Sequence, residues 1–265
     1  MRILRNISFG QYIPRDSLIH SLDPRIKILS CLAIIVALFL ITKFSGYLIL
    51  GCFVLISIII SKVHPKYVFR GLRPILFIII FTLLIHLFMT EGEMIYQLGF
   101  LKITREGLVK GILISFRLFI LILTTSLLTL ATSPISLTDG IERLLSVFKF
   151  IGIPAHEIAM MMTIALRFIP TLLEETEKIM KAQISRGADF ESGNIFNRAK
   201  NLIPILIPLF VNAFRRADEL AIAMEAKCYR GGEGRTHYRE LKIKKKDISA
   251  FTLTILVTIM VSVMF

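Results

Sequence analysis

The chain has 265 residues, 55% of them hydrophobic, with a mean hydropathy of +0.72, no Trp and a formal net charge of +13. Soluble domains hold about 45–50% apolar residues, so the excess argues against a soluble fold and for a membrane protein. The charge does not indicate nucleic acid: the basic residues flank hydrophobic runs, as membrane topology demands, and no RNA- or DNA-binding motif accompanies them.

Arg2 and Arg5 open the chain, but residues 10–27 are polar and contain Pro14 and Pro24. A cleavable signal peptide is therefore not expected. Residues 28–61 are nearly all apolar, broken only at Thr42-Lys43-Phe44-Ser45-Gly46. One helix of that length would measure about 50 Å against about 30 Å of hydrocarbon, so two spans with a tight turn at 43–46 are predicted. Residues 74–90 make a third span, and residues 111–132 a fourth, with Arg117 inside it. Residues 248–265 make a fifth, uncharged throughout. Arg117 is a functional candidate because charge within a span is expensive, although snorkelling from about two turns below the outer end also accounts for it.

Charge asymmetry sets the orientation. The first 27 residues hold Arg2, Arg5, Arg15, Arg25 and Lys27, and the loop after span two holds Lys62, Lys66, Arg70 and Arg73 without an acid. Residues 133–246 carry 18 Lys or Arg, ending in Lys242-Ile243-Lys244-Lys245-Lys246 against the last span. The chain therefore divides into a cytoplasmic segment 1–27, four transmembrane helices in 28–132, a cytoplasmic helical region 133–246, and a fifth transmembrane helix in 247–265 with its end outside.

Within the cytoplasmic region, Asp139 followed by Glu142 predicts a short helix to about Phe148, stopped by Gly152 and Pro154. Residues 155–187 form a long amphipathic pattern. Ile158, Met161, Met162, Ala165, Phe168, Ile169, Leu172 and Leu173 recur at three and four, and Pro170 should bend it. A second pattern spans about 195–229, bent at Pro204 and Pro208, with Ile207, Phe210, Val211, Phe214, Leu220 and Met224 as its stripe. Both are too charged in their second halves to cross lipid, and packing of the two stripes on each other is expected. Met160, Met161 and Met162 suit an adaptable surface or a plain core.

Each long pattern ends in one base between small residues: Ser185-Arg186-Gly187, and Ala226-Lys227-Cys228 followed by Gly231 and Gly232. One such end is ordinary, since a base complements the helix dipole and glycine caps the turn. A matched pair says more. Small neighbours leave each cation standing clear, able to enter an acidic groove on another protein. Catalytic and cofactor signals are poor. His156-Glu157-Ile158-Ala159-Met160 begins like a zinc-protease motif but has Met160 where the second ligand belongs, and Gly231–Thr236 lacks phosphate-loop spacing. Cys31, Cys52 and Cys228 form neither a disulfide framework nor a metal set. No catalytic residue, cofactor or metal is expected.

Gly10-Gln11-Tyr12-Ile13-Pro14, the run Ser17-Leu18-Ile19-His20-Ser21-Leu22-Asp23-Pro24-Arg25, Arg167-Phe168-Ile169-Pro170-Thr171-Leu172 and the two basic helix ends resemble the transmembrane (T) component of energy-coupling factor transporters. The resemblance covers nearly the whole chain, and its length and N-terminal motif look like the shared type. It implies a bacterial or archaeal multi-pass cell-membrane subunit without catalytic activity. Its implied partners are two ABC-type ATPases and a small substrate-binding membrane subunit (S component) for a vitamin or metal ion. Ser185, Arg186, Gly187, Ala226, Lys227 and Cys228 would couple to the ATPases. Two positions depart from the family pattern: Ser185 stands for Ala, and Lys227 stands for Arg, keeping the charge but losing the planar fork. The alternatives are a T component dedicated to cobalt or biotin, an integral membrane enzyme such as an intramembrane protease, and a passive membrane scaffold. The enzyme would need a metal pair or clustered acids that the sequence does not display.

The charge pattern predicts an inside N-terminus and an outside Phe265. Cysteine labelling that reports position 265 from the cytoplasm would remove the five-span topology.

Overall fold

The computed structural model describes residues 12–98, 101–188, 190, 194–231 and 241–265. Arg2, Arg5, Gly10, Gln11 and the glycine-rich Gly232–Thr236 stretch lie outside the described residues. Contacts divide the described chain into two compact units: residues 12–140 with 241–265, and residues 141–231.

In the first unit, α1 (Pro24–Leu40) starts where the Asp23 carboxylate accepts the Arg25 N–H and Pro24 supplies a preset first turn. A short break at residues 41–43 leads into α2 (Phe44–Ile60). These are the two helices predicted from the long apolar run. Helix α3 (Pro65–Met89) begins a full two turns before the predicted span, because His64 caps it and Pro65 opens it, and Pro74 lies inside it. Two short antiparallel strands that the sequence reading did not foresee follow: β1 (Met94–Leu98) and β2 (Leu101–Thr104). They deliver the chain to Thr104, whose hydroxyl accepts the Gly107 N–H and starts α4 (Arg105–Ala131).

Helix α4 packs closely along α3 through Gly107 and Gly111. A Cβ built on Gly107 would stand 2.5 Å from the His86 carbonyl oxygen. Small residues four apart let two backbones approach in a membrane, where van der Waals contact and not hydrophobic exclusion drives association. The core of this unit is Leu38, Ile41, Tyr47, Leu50, Ile120, Leu130 and Val261, contributed by α1, α2, α4 and α8 (Lys245–Met264).

At the other end of the unit sits a buried polar knot. Asp247, 1% exposed, accepts the Asp23 N–H at 2.9 Å on one oxygen and the Lys244 N–H at 2.7 Å on the other. Arg25 holds the Asp23 carboxylate through two guanidinium nitrogens and also donates to the Leu241 carbonyl. Lys27 donates to the carbonyls of His20 and Ala131. Burial pushes the Asp23 carboxyl up, but the Arg25 hydrogen bonds and the charges of Arg25 and Lys27 outweigh it and hold it below the ordinary value. The Ser17–Arg25 run is thus a folded loop: Ser17 Oγ meets His20 Nδ1 at 2.7 Å, and His20 Nε2 meets the Ile13 carbonyl.

Helix α5 (Pro134–Leu145) begins earlier than predicted. Ser133, whose hydroxyl accepts the Ser136 N–H, occupies the capping place, and Asp139 lies within the helix. A 3₁₀ turn (Ser146–Ile151) ends at Gly152. In the second unit α6 (Ala155–Ser185) and α7 (Ile195–Ala226) are the two long helices expected, each with internal prolines. Their stripes do not bury each other along the whole length: Ile207, Phe210, Val211 and Phe214 are exposed, so only part of the α7 stripe faces α6.

This is an all-α integral membrane protein apart from the small hairpin. Helices α3, α4, α6 and α8 are long and apolar enough to cross a membrane, and α2 is apolar but shorter. The set includes α6, which the sequence reading placed in the cytoplasm, in place of α1. The reason is that the first half of α6 carries little charge; its best window reaches a mean hydropathy of 1.3, against 2.3, 2.1 and 1.9 for α3, α4 and α8.

Asp247→Ala leaves the buried Asp23 N–H without an acceptor, at about 1–3 kcal/mol, and frees the part-buried Lys244 N–H at less cost. A clear drop in the unfolding temperature of the detergent-purified protein is expected, and Asp247→Asn should lose less because one acceptor oxygen remains.

Candidate docking ends of the two long helices

Both long helices finish in the same hydrogen-bonded turn. At the end of α6 the Ala188 N–H bonds to the Gln183 carbonyl at 3.0 Å and the Gly187 N–H to the Ile184 carbonyl at 2.9 Å. At the end of α7 the Tyr229 N–H bonds to the Met224 carbonyl at 3.0 Å and the Cys228 N–H to the Glu225 carbonyl at 2.8 Å. Each is a complete Schellman motif, and each needs a left-handed residue just past the cap. Gly187 fills that place in the first, at φ +87°. In the second it is Cys228, at φ 56°, and not the glycine at 231. A residue with a Cβ there carries about 1–2 kcal/mol of strain.

The motif sets the cation's place. Arg186 and Lys227 are themselves the C-cap residues, with nearly equal backbone angles (φ −90°, ψ 8° and φ −88°, ψ 13°). Ser185, Arg186, Gly187, Ala226, Lys227 and Cys228 are all exposed. Each helix therefore presents one cation at a stereochemically equivalent site, beside the negative end of its dipole. Arg186 offers a planar fork of five donors that matches a carboxylate; Lys227 offers a compact ammonium.

The two ends do not lie side by side. The helices run antiparallel: Met160 and Ile164 of α6 line one cleft of about 480 Å³ with Leu220, Met224, Lys227 and Tyr229 of the α7 end. Lys227 thus sits near the start of α6 while Arg186 sits at its finish. At 1.5 Å per residue the α6 axis, counted from Ile164 or from Met160, places them about 33–39 Å apart. Met160 faces that cleft, whereas Met161 and Met162 are exposed.

One polar link between the helices escaped the sequence reading. Asn212 Nδ2 of α7 donates to Glu175 Oε1 of α6 at 2.5 Å, and Arg216 Nη2 lies 3.4 Å from Glu175 Oε2. The sequence signal for this link is the run Glu174-Glu175-Thr176-Glu177, whose middle acid sits half-buried between two neighbours on the polar side. One turn apart on α7, Arg215 and Glu219 form an exposed pair at 3.4 Å.

The remaining candidates resolve locally. His156 pairs with Glu142 at 2.9 Å. Among the described residues no three His, Cys, Asp or Glu side chains gather in a metal-holding group. Arg117 lies three turns inside α4 because that helix starts at Arg105. Its Nε and Nη2 donate to the Tyr47 hydroxyl at 3.0 and 2.6 Å, and its guanidinium stands 5.3 Å from the Phe39 ring. It ties α4 to α1 and α2.

The chain matches the family described as "Cobalt transport protein", CbiQ, over residues 15–238. It is 57% identical over 251 residues to a Thermosediminibacter oceani protein, covering 95% of each chain. It is 55% identical over 264 residues to one from Clostridium kluyveri, covering 99% of this chain and 97% of that one. A Bacillus subtilis protein is 50% identical over 248 residues, covering 93% and 94%. All three carry the name energy-coupling factor transporter transmembrane protein EcfT.

Gly187→Ala meets no steric obstacle but forces a Cβ residue to φ +87°, which costs about 1–2 kcal/mol and frays the last turn of α6. Cys228→Gly removes the corresponding strain from α7. Amide hydrogen exchange should quicken at Arg186 and Ala188 in the first variant and slow at position 228 and at Tyr229 in the second.

Proposed function

This chain belongs to the CbiQ family, and we propose that it is the coupling subunit of an ATP-driven uptake transporter, joining two ABC-type ATPases to an exchangeable S component that captures a vitamin or metal ion. The family and the relatives' shared name make it a membrane transport component. The chain itself hydrolyses no ATP and binds no cofactor; those tasks fall to its partners. One observation carries the finer reading: two equivalent capped helix ends each present an exposed cation at the cap position, and they stand about 33–39 Å apart along α6. Adjacent ends would suit one groove on one partner. Separated, equivalent ends suit two copies of the same partner, as a pair of ATPases provides.

In this reading α6 and α7 lie on the cytoplasmic side, with the N-terminus inside and residue 265 outside. Glu174, Glu177, Lys178 and Lys181 in the second half of α6 support that placement, as does the failure of its antiparallel partner α7 to qualify as a span. ATP binding draws the ATPases together and moves the two ends. The apolar residues left exposed on α7 offer a surface through which that motion reaches the S component. The description of the matched family names cobalt, which favours a dedicated subunit as the second reading. The shared name of the relatives favours the general type. Competition between two different S components for one preparation of the chain with its ATPases separates them: competition is expected, and a single S component under every growth condition would establish the dedicated type.

Arg186→Glu replaces attraction with repulsion, and loss of one partner of a desolvated charge pair costs about 2–5 kcal/mol. The variant should remain inserted, lose ATPase association and lose uptake. Lys227→Glu should do the same less severely, whereas Lys227→Arg should be tolerated or improve coupling. Simple helix capping predicts only about 0.3–1 kcal/mol per end. Co-purification of ATPases at the parent level with the Arg186→Glu, Lys227→Glu double variant would refute the docking role.

A further inference from the structure

We propose that Glu175, Asn212 and Arg216 form the pivot about which the two coupling helices turn, and that their polar link converts approach of the helix ends into movement of the remaining helix halves. The proposal rests on the coupling reading above and assigns positioning residues within it.

The geometry is that of two levers with one bearing. Eleven residues separate Glu175 from Arg186, and eleven separate Arg216 from Lys227. Each arm is therefore about 16 Å long at 1.5 Å per residue. Because the helices are antiparallel, the arms leave the link in opposite directions, so it sits midway between the two cationic ends. Neither arm contains Pro or Gly. Each helix has its proline just before the link: Pro170 five residues ahead of Glu175, and Pro208 four ahead of Asn212. Proline removes one rung of the helix ladder and bends the rod there. Each lever is thus stiff from link to cation and compliant on the far side of the link, the arrangement that transmits an imposed rotation.

The link itself is suited to turning. Beyond the link the two helices meet through only part of their apolar stripes, and apolar contact alone would tolerate sliding by a turn. A partly buried carboxylate, 17% exposed, pairs with one amide and one guanidinium and so specifies a single register. Its two contacts are unequal. The Asn212 bond is short, at 2.5 Å, whereas Arg216 stands 3.4 Å from Oε2, an oxygen with no hydrogen-bond partner among the described residues. The amide holds one carboxylate oxygen and the guanidinium stands beside the other, so the link marks one crossing point of the two helices.

The test uses the full chain with its co-expressed ATPases in nanodiscs. Spin labels on genetically encoded residues at positions 181 and 223, one on each arm, report the separation of the arms with ADP and with ATP plus vanadate. The parent should show a nucleotide-driven change in separation. Glu175→Arg, which faces Arg216 with a like charge, should keep its ATPases bound and lose that change. The exchanged pair Glu175→Arg, Arg216→Glu should recover it, an outcome that a general packing defect would not give. An undiminished change in Glu175→Arg, or no recovery in the exchanged pair, overturns the pivot. Failure of the coupling reading itself would look different, as a parent chain that retains no ATPase, and it would overturn both.

Discussion

Everything in the membrane unit hangs on one buried carboxylate. Asp247 takes the N–H of Asp23 and the N–H of Lys244, so a single side chain fixes the start of α8 and the approach to α1. Arg25 and Lys27 then reach the carbonyls of Leu241 and Ala131. The places where the chain enters α8 and leaves α4 are therefore held by neighbouring side chains of one helix. With no water in the hydrocarbon to satisfy stray polar groups, such a knot belongs at the end of a bundle, where charges remain affordable and still specify one arrangement.

Away from the knot the same unit is held by contact alone. Gly107 and Gly111 let α4 lie against the α3 backbone, and the fully buried Leu38, Leu50, Ile120 and Val261 fill the space among α1, α2, α4 and α8. Arg117 is no exception. Its charge is spent on the Tyr47 hydroxyl and two aromatic rings, which fastens the α1–α2 turn to α4. The long exposed apolar rows of α3 (Phe69, Phe77, Ile78, Phe81) suit a lipid or protein-facing surface.

The second unit obeys a different rule. Helix α7 keeps much of its apolar stripe exposed, the α6 stripe is mostly half-buried, and few of the described side chains are fully buried. A pair so thinly packed draws little stability from a core of its own. Its specific contacts are correspondingly sparse and polar: the Glu175 link between α6 and α7, and the His156–Glu142 pair ahead of them. The matched caps at Arg186 and Lys227 are backbone devices, so their geometry does not depend on a core.

Composition and hydrophobic runs were enough to show an all-α membrane protein, the break near Lys43, and two long amphipathic helices with one base at each end. Those features follow from local sequence: burial of apolar runs, the 3.6-residue period and the residues that stop a helix. Local sequence misled where a cap competed with a nearer one. Ser133 displaced Asp139, and Thr104 with the preceding hairpin started α4 two turns early. It also could not show that Cys228 takes the left-handed place filled by Gly187, since cysteine there runs against its own preference and is held by the Tyr229–Met224 bond. Only the tertiary structure set the antiparallel pairing that parts the two cations, the contact of Glu175 with Asn212 and Arg216, and the joining of Asp23 to Asp247. Each depends on residues distant in the chain meeting across packed helices, and no periodicity within one helix records what stands opposite it.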